Sequence, residues 1–248
     1  MPTPRARTAS SSLTRDAIVE VALRLLETDG AEALTTRQIA AACGVQGPSL
    51  YWHFAGRGEL IDLVVDATLA EIDLADPTDD DWRSYVSQAA HSYRAVLRSH
   101  PGLASLLRGR FPLGPNGLTA IDRILRVILD AGFTPRQALT GFNTVTQFVL
   151  SSVVDEEASH QQTVPPADSA WAPDRVNRAL ATLAEHPGRY ATLRSILPDL
   201  AGLTPDTLFE GGLHSILDGL AMSLPPKRRK PTHTTVRRST PEPRRTRG

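Results

Sequence analysis

Residues 34–54, LTTRQIAAACGVQGPSLYWHF, contain two short helical patterns separated by a tight turn. Thr35 stands immediately before the first pattern, at a position where its hydroxyl can cap a helix N-terminus. Gly44 follows the end of that pattern, as glycine commonly does after a helix. The stretch therefore predicts a helix–turn–helix unit, with its helices at about residues 36–43 and 48–53.

The second of these helices carries an unusual group of aromatic side chains. The chain has only three Trp, four Tyr and six Phe, yet one of each occurs within four positions here. Leu50 and Phe54 are four residues apart, so they share a helical face and are expected to pack on the core. Trp52 and His53 fall on the other side, and Tyr51 lies between the two faces. A folded core does not require these exposed rings, so the pattern favours a binding surface.

Two ordinary interpretations of the stretch stay open at this point. Helix–turn–helix shapes occur in many helical proteins that bind no DNA, and short aromatic clusters are more often buried than exposed. If the unit binds DNA, its second helix is expected in the major groove and its first across the phosphate backbone. Hydroxyls and backbone N–H groups at the start of such helices are common phosphate contacts.

The rest of the chain also repeats with a helical period, and it shows no convincing alternating strand. We therefore expect an all-α fold, in which a three-helix head at the N-terminus is followed by a larger helical body. Residues 14–29 would close the core of the head. The other helices are predicted at about residues 58–73, 82–99, 103–109, 118–130, 135–159, 174–185 and 205–223.

Changes in composition divide the chain into five segments. Acidic residues break the helical pattern after the head, and the residues beyond the last helix are mostly Pro, Thr and Arg with few apolar side chains. The predicted segments are a disordered N-terminal arm (1–13), a helix–turn–helix domain (14–58), a connecting helix (59–73), a C-terminal domain (74–224) and a disordered basic tail (225–248).

The charge is balanced overall but not along the chain. There are 27 Lys and Arg against 27 Asp and Glu, and nine of the basic residues lie in 225–248 beside one acidic residue. A basic tail next to an acidic body indicates that only some surfaces meet a polyanion. The tail can serve as an accessory DNA contact or as a solvating extension.

The sequence disfavours several classes of protein. No apolar run reaches the roughly 20 residues that a membrane helix needs, and no secretory leader is recognisable. The single cysteine, Cys43, excludes an internal disulfide and fits a reducing cytosol. The seven His residues show no metal-binding spacing. We therefore expect no membrane association, no metal and no cofactor.

The head sequence LTTRQIAAACGVQGPSLYWHFAGRGELIDLVV, residues 34–65, resembles the DNA-binding head of the TetR family of bacterial transcriptional repressors. Its pattern of Thr-x-x-x-Ile-Ala, Gly-Val and Leu-Tyr-Trp-His-Phe is highly specific, and the likeness covers about residues 14–73. The resemblance implies sequence-specific binding to a double-stranded DNA operator. The residues that it places in DNA contacts are Thr36, Arg37, Gln46, Gly47, Pro48, Ser49, Tyr51, Trp52, His53 and Arg57.

Gly47 departs from the pattern of the tetracycline-responsive members of this family. Those members carry a polar side chain that reads a base at this position, whereas glycine offers none. Arg57 stands where the family often has a Lys that contacts phosphate. The departure at Gly47 implies that the operator sequence differs from theirs.

The body resembles, more weakly, the regulatory domain of the tetracycline-repressor subgroup. The likeness lies in SYRAVLRSHPG (92–102), ILDAGFTPRQALTGFNTVTQFVLSSVVDEE (128–157) and LFEGGLHSILDGL (208–220). It implies an all-helical ligand-binding domain that forms a homodimer through the helices at about 135–159 and 205–223. Glycines in the last helix, each costing about 1 kcal/mol there, fit either a close partner helix or a tight crossing within the chain.

A polar stripe in the helix at 135–159 predicts where a ligand contacts the body. The subgroup's ligand contacts align with an aromatic residue and with two members of this stripe. The predicted ligand-binding residues are Tyr93, Asn143, Gln147, Ser151 and Asp155. A solvated face or a polar seam of the dimer would explain the same stripe.

Two residues that bind the magnesium–tetracycline chelate in the subgroup have no counterpart here. Leu106 or Leu107 stands in place of the magnesium-binding His, and Asp73 in place of a ligand-binding His. The chelate is therefore not the expected inducer. A different hydrophobic or polycyclic compound fits the departures better.

Together these features predict a homodimeric transcriptional repressor, not an enzyme. We expect it to leave a palindromic operator when a small molecule binds its body, and to work in the bacterial cytoplasm at the nucleoid. An activator, or a ligand-independent regulator with the same head, is the alternative. A helical enzyme that uses the acidic cluster at residues 79–81 with a metal is a third hypothesis, from another class.

Overall fold

The computed structural model describes residues 13–74, 76, 81–160, 173–186, 188–200 and 203–224. Within these residues the chain forms eleven α-helices and one 3-10 turn, and no strand, so the expected all-α class is confirmed. The predicted disordered arm (apart from Leu13) and basic tail lie outside the described residues. The helices are α1 (Arg15–Asp29), α2 (Thr36–Ala42), α3 (Gly47–Leu50), α4 (Arg57–Leu69), α5 (Trp82–Ser99), α6 (Leu103–Leu107), α7 (Pro115–Asp130), α8 (Pro135–His160), α9 (Pro173–Glu185), α10 (Ala191–Leu200) and α11 (Pro205–Met222).

The head is built from α1, α2 and α3 around a small apolar core. Thr14 and Thr35 begin α1 and α2 as N-caps, since their hydroxyls accept the backbone N–H of Ala17 and of Gln38 respectively (both 3.2 Å). The core side chains come from all three helices and from the turns between them. They include Ile18, Ala22, Leu26, Leu34, Ile39, Leu50 and Phe54, each less than 5% exposed.

Helix α4 leaves the head and runs into the body. Its first turn is tied to the head, because Arg57 Nε donates to the carbonyl oxygen of Leu34 (3.1 Å) and Glu59 pairs with Arg15 of α1. The helix ends earlier than the predicted residue 73. The backbone N–H of Ala70 and of Glu71 bond three residues back rather than four, which tightens the last turn.

Head and body also touch where the loop after α5 meets the end of α1. The backbone N–H of Ala31 donates to the carbonyl oxygen of Pro101 (3.0 Å). Gly102 has a φ of 80°, and a Cβ on it would lie 2.7 Å from the Cβ of Ala31. Only glycine satisfies both the backbone conformation and the close approach, so this contact depends on the residue type.

The centre of the body is a buried ion pair that joins three helices. Arg94 of α5 is 7% exposed at its side chain and donates from Nε to Glu156 of α8 (3.0 Å), whose side chain is 6% exposed. The same guanidinium donates to Asp206 at the start of α11 (2.7 Å) and lies over the ring of Phe209, 4.2 Å from its centroid. These contacts fix α5, α8 and α11 relative to one another.

The glycines of α11 serve two different surfaces. A Cβ on Gly212 would lie 2.5 Å from Phe148 of α8, so this glycine allows a tight crossing within the chain. Gly211 and Gly219 have no atom within 4 Å of an added Cβ and lie on the open side of the helix. The crossing within the chain therefore explains why residue 212 is glycine, but it does not explain Gly211 or Gly219.

Besides α4, three more helices differ from the sequence expectation. The predicted helix at 48–53 is α-helical only to Leu50, after which Tyr51 and His53 continue through i→i+3 bonds. Helix α7 begins at Pro115, three residues before the predicted start, because proline suits the first turn of a helix. Helix α10 was not predicted, since it contains Pro198 and keeps its largest apolar side chains half exposed.

Membrane insertion finds no support in these helices. Within the described part of the chain, no helix combines the length and the hydropathy needed to cross a bilayer.

Replacing Arg94 with Met should lower the free energy of unfolding by about 3 kcal/mol, because Glu156 keeps a buried charge that loses its main partner. Chemical denaturation at matched protein concentration measures the loss. The control is Arg126→Met, which removes an arginine from an exposed ion pair within α7 and should cost less than about 0.5 kcal/mol. Equal losses for the two variants would contradict the structural role given to the buried pair.

The stability of the body should depend on the protonation of His91. Burial opposes its charged form, but hydrogen bonds from the ring to the Ser87 carbonyl oxygen and the Glu210 carboxylate (both 2.7 Å) outweigh this and raise the pKa of His91 above its usual range. The proton is thus bound more tightly in the folded state. The resulting stability is full below the pKa of an unfolded His and is lost as the pH rises through the folded pKa. Urea unfolding between about pH 5 and 8 should show this slope, and His91→Gln should flatten it.

Candidate functional site

The turn between α2 and α3 sets the angle at which the second helix leaves the head. Gly44 has a φ of 69°, a left-handed conformation that favours glycine. The backbone N–H of Val45 donates back to the carbonyl oxygen of Ala40 (2.9 Å), which closes the turn on the end of α2. Helices α2 and α3 then pack together as a helix–turn–helix unit.

The orientation expected for the second helix of this unit is confirmed. Leu50 and Phe54 are 1% and 4% exposed and belong to the head core. Trp52 is 89% exposed and Tyr51 58%, so both rings lie on the surface. The buried pair fixes the segment, and the two exposed rings lie outside the described core of the head.

The ten residues predicted to contact DNA all lie on the surface of the head. Thr36 and Arg37 open α2, and the others belong to α3, its flanking turns and the start of α4. The half-exposed members of the group are Thr36, Gly47, Ser49 and His53, and the exposed ones are Arg37, Gln46, Pro48, Tyr51, Trp52 and Arg57. Arg57 stands apart from the rest, because it also lines a groove between the head and the loop after α5.

A second candidate site is an apolar cavity in the body. Its empty volume, with the open mouth included, is about 610 Å³. The walls come from the end of α4, from α5, from the first turns of α7 and from α8. The lining residues are Leu69, Ile72, Val86, Ala89, Ala90, Tyr93, Pro112, Gly117, Ala120, Ile121, Ile124, Phe142, Val145, Thr146 and Val149.

The cavity includes one of the five predicted ligand-binding residues. Tyr93 lines it, whereas the other four are exposed and are not among the lining residues: Asn143, Gln147, Ser151 and Asp155. The periodicity of α8 explains this separation. Those four residues repeat every fourth position along one stripe, and the wall of the cavity is formed by residues on a neighbouring face of the helix.

The residues of α8 that face the cavity were not singled out from the sequence. They are Phe142, Val145, Thr146 and Val149, spaced at i, i+3, i+4 and i+7. This apolar spacing is the signal that could have found them, but the same spacing also describes an ordinary core face.

Tyr93 and Thr146 supply the hydroxyl groups among the cavity's lining residues. Burial raises the pKa of Tyr93 far above its usual value, so its hydroxyl stays neutral and can donate a hydrogen bond at physiological pH. Among the described residues that line the cavity, none carries a carboxylate, an imidazole or a thiol. Such a site suits an apolar molecule with one or two polar atoms.

The residues that the resemblance places where the tetracycline-repressor subgroup has histidines are Leu106 or Leu107, and Asp73, and none of them is among the described lining residues. Leu107 is buried in the core at 3% exposure, Leu106 lines the groove beside Arg57, and Asp73 is exposed with its backbone N–H bonded to the hydroxyl of Ser92. Within the described residues, no group of three or more His, Cys, Asp or Glu side chains is arranged to hold a metal ion.

Comparison with known proteins gives matches over both parts of the chain. Residues 18–64 match the family described as bacterial regulatory proteins, tetR family, and residues 74–224 match the tetracyclin repressor-like C-terminal domain. The tetracycline repressor protein class A from transposon 1721 of Escherichia coli is 34% identical, with 85% of this chain and 92% of that protein covered. The HTH-type transcriptional repressor DrrR1 of Streptomyces coeruleorubidus is 30% identical, with 88% and 80% covered.

Solved structures show the same fold. Apo ActR from Streptomyces coelicolor superimposes with a TM-score of 0.74 at 28% identity, covering 86% of this chain and 97% of ActR. ActR in complex with actinorhodin gives a TM-score of 0.71 at 27% identity, with 85% and 97% covered.

The fold and the surface of the head define a DNA-binding regulator whose helical body contains a small-molecule cavity. The chain belongs to the TetR family of bacterial transcriptional regulators, with a regulatory domain of the tetracycline-repressor type. It is a sequence-specific DNA-binding transcriptional regulator.

Tyr51→Ala should weaken operator binding about tenfold, or ~1.4 kcal/mol, because it removes an exposed contact without touching the head core. Fluorescence anisotropy on a duplex selected from random DNA measures the affinity.

Leu50→Ala, in contrast, should lower the free energy of unfolding by about 2–5 kcal/mol in chemical denaturation, because it removes a buried side chain from the head core.

Phe111→Ala is the control for Tyr51→Ala, since it removes an exposed aromatic ring outside the head and should leave operator affinity unchanged. Unchanged affinity in Tyr51→Ala would show that this face of the head does not meet DNA.

Proposed function

We propose that this chain is a homodimeric repressor that is released from a palindromic operator when an apolar, aromatic compound occupies the body cavity. The observation that carries the proposal is the cavity itself. It is walled almost entirely by apolar side chains and includes the end of α4, the helix that begins in the head. A compound that fits the non-DNA conformation better than the DNA-bound one would shift the population toward release.

On the DNA side, α3 is proposed to enter the major groove. The start of α2 would lie against the phosphate backbone, where Thr36 and Arg37 offer a hydroxyl and a guanidinium. Gln46, Pro48, Ser49, Tyr51, Trp52 and His53 would contact base edges and phosphates, and Gly47 would let the backbone approach closely. Arg57 would hold a phosphate from the start of α4.

The effector class is argued from chemistry and supported by relatives. ActR is solved in complex with actinorhodin and with (S)-DNPA, and its fold matches this chain over most of its length. The cavity here offers Tyr93 and Thr146 as hydrogen-bonding groups within apolar walls. A magnesium–tetracycline chelate fits poorly, because the part of the lining that the structure describes offers no carboxylate or imidazole for such a chelate.

The dimer is proposed to form through the open sides of α8 and α11. Leu208, Gly211, Ser215, Gly219 and Met222 repeat at three- and four-residue intervals along the exposed face of α11. Small residues between exposed apolar ones allow a second helix to approach closely. On α8, the exposed stripe with Asn143 and Gln147 would form the polar seam beside this contact. The two heads would then sit about 34 Å apart, as adjacent half-sites require.

We propose no catalytic activity for the chain and place its action in the bacterial cytoplasm, at the nucleoid. The enzyme hypothesis relied on the acidic cluster at residues 79–81, of which only Asp81 is described. Asp81 accepts the backbone N–H of Ser84 (3.1 Å) and so caps α5. This structural task accounts for the residue without a metal.

Actinorhodin should release the wild-type protein from a selected operator in an anisotropy titration. Tyr93→Phe should weaken binding of the compound about tenfold, because it removes the phenolic donor found among the described lining residues, and should leave operator affinity unchanged when the compound is absent. Minocycline with Mg²⁺ should not release the operator.

Asn143→Ala and Gln147→Ala provide the matched comparison. If the effector sits in the cavity, neither changes its affinity, whereas weaker binding in both would place it on the exposed stripe instead. If neither actinorhodin nor a broader panel of aromatic compounds releases the operator, the protein is a ligand-independent regulator. A rise in transcription on adding the protein would identify an activator.

A further inference from the structure

Helix α7 does not supply its own N-terminal cap. Its N-cap residue is Gly114, which has no side chain to accept the first backbone N–H groups. The acceptor comes from α4 instead. Asp66 Oδ1 accepts the backbone N–H of Gly117 (2.9 Å), and Asp66 Oδ2 accepts the backbone N–H of Asn116 (3.3 Å). These N–H groups belong to the second and third residues of the helix, the positions that a capping side chain normally satisfies.

The fit between Asp66 and α7 is close and buried. Asp66 is only 6% exposed, and the side-chain amide of Asn116 donates to both its carboxylate and its carbonyl oxygen (both 3.2 Å). A Cβ on Gly114 would lie 2.1 Å from Asp66 Cγ, so the carboxylate reaches α7 only because residue 114 is glycine. The positive end of the helix dipole adds to the attraction for this carboxylate.

The two halves of α4 belong to different parts of the molecule. The first turn is bonded to the head through Arg57 and Glu59. The last turn contributes Leu69 to the cavity, and Gly117 at the start of α7 lines the cavity beside it, since a Cβ on Gly117 would lie 3.2 Å from Leu69 Cδ1. Asp66 lies between these two regions and bonds directly to Gly117. The contact between Asp66 and the first turn of α7, the α4–α7 joint, therefore connects one wall of the cavity to the helix that leaves the head.

We propose that Asp66 is the positioning residue that transmits occupancy of the cavity to the head. It makes α4 and the first turn of α7 move as one body, so a molecule that displaces the wall at Gly117 also displaces α4. This inference rests on the proposed function of the cavity as the effector site. Because coupling between two sites is reciprocal, the same joint lets bound DNA alter the affinity of the cavity for its ligand.

A second tie between the same regions is weaker. Arg110 donates to Asp62 of α4 (2.6 Å), but their side chains are 38% and 64% exposed. Exposed pairs of this kind contribute little and are screened by salt. The buried carboxylate at Asp66 is therefore the tie on which the coupling depends.

The test uses a side chain as the probe, so it does not require the natural effector. Ala120→Phe, one turn beyond Gly117, places a ring in the cavity. It is measured in the full-length wild-type chain and in Asp66→Asn, with operator affinity read by anisotropy. We expect Ala120→Phe to weaken operator binding at least about tenfold in the wild-type background and less than about twofold with Asp66→Asn. Such non-additivity would not arise if Asp66 only stabilised the fold.

Companion variants keep the result interpretable. Gly114→Ala retains the carboxylate but displaces it and should reproduce the loss of coupling, while Asn116→Ala should have an intermediate effect. Asp122→Asn removes an exposed carboxylate from α7 and should leave the coupling intact. Retained operator binding by Asp66→Asn alone confirms that this variant is folded. If Asp66→Asn unfolds, Gly114→Ala serves as the uncoupled background in its place.

The outcomes separate this inference from the proposed function. If Ala120→Phe weakens operator binding equally in both backgrounds, the role of Asp66 is overturned and the cavity remains a regulatory site. If it has no effect in either background, filling the cavity is not transmitted to the head, and the inference falls. Release of the wild type by actinorhodin then decides separately whether the proposed function stands.

Discussion

The buried ion pair between Arg94 and Glu156 is the constraint on which the architecture of the body depends. A charge at this depth is tolerated only with a partner, so α5 and α8 must be held in register at that point. The same arginine reaches Asp206 and the ring of Phe209, which fixes α11. Tyr93 precedes Arg94 in the chain and faces the cavity, so the pair that orders the helices also sets one wall of the candidate effector site.

The head follows a different physical principle. Its core is small and made of aliphatic side chains from three helices, with Phe54 as its one aromatic ring. The neighbouring rings lie outside this core, at the surface of the head: Tyr51, Trp52 and His53. The residues that stabilise the head and those proposed to contact DNA thus lie on different faces of this short segment.

Local signals in the sequence were sufficient for most of the fold. The cap at Thr35 and the helix starts predicted at residues 135 and 205 are reproduced by the structure, because capping and first-turn proline are properties of adjacent residues. Helix α10 was not predicted because it contains Pro198, and a proline inside a helix normally interrupts it. The cavity lining on α8 was also missed. Which of two neighbouring stripes faces inward depends on how α8 packs on α5 and α7, and no local pattern contains that information.

The capping of α7 by Asp66 could not be predicted from local sequence patterns, since the two partners are about 50 residues apart in sequence.

This cap also affects how proteins of this fold can be combined into chimeras. A chimera joined before α4 would inherit Asp66 and Gly114 from the same parent and keep the joint. A chimera joined after α4 would combine an acceptor from one parent with a helix start from another. Exchange of regulatory bodies between relatives should therefore preserve effector response only when α4 is transferred together with the body.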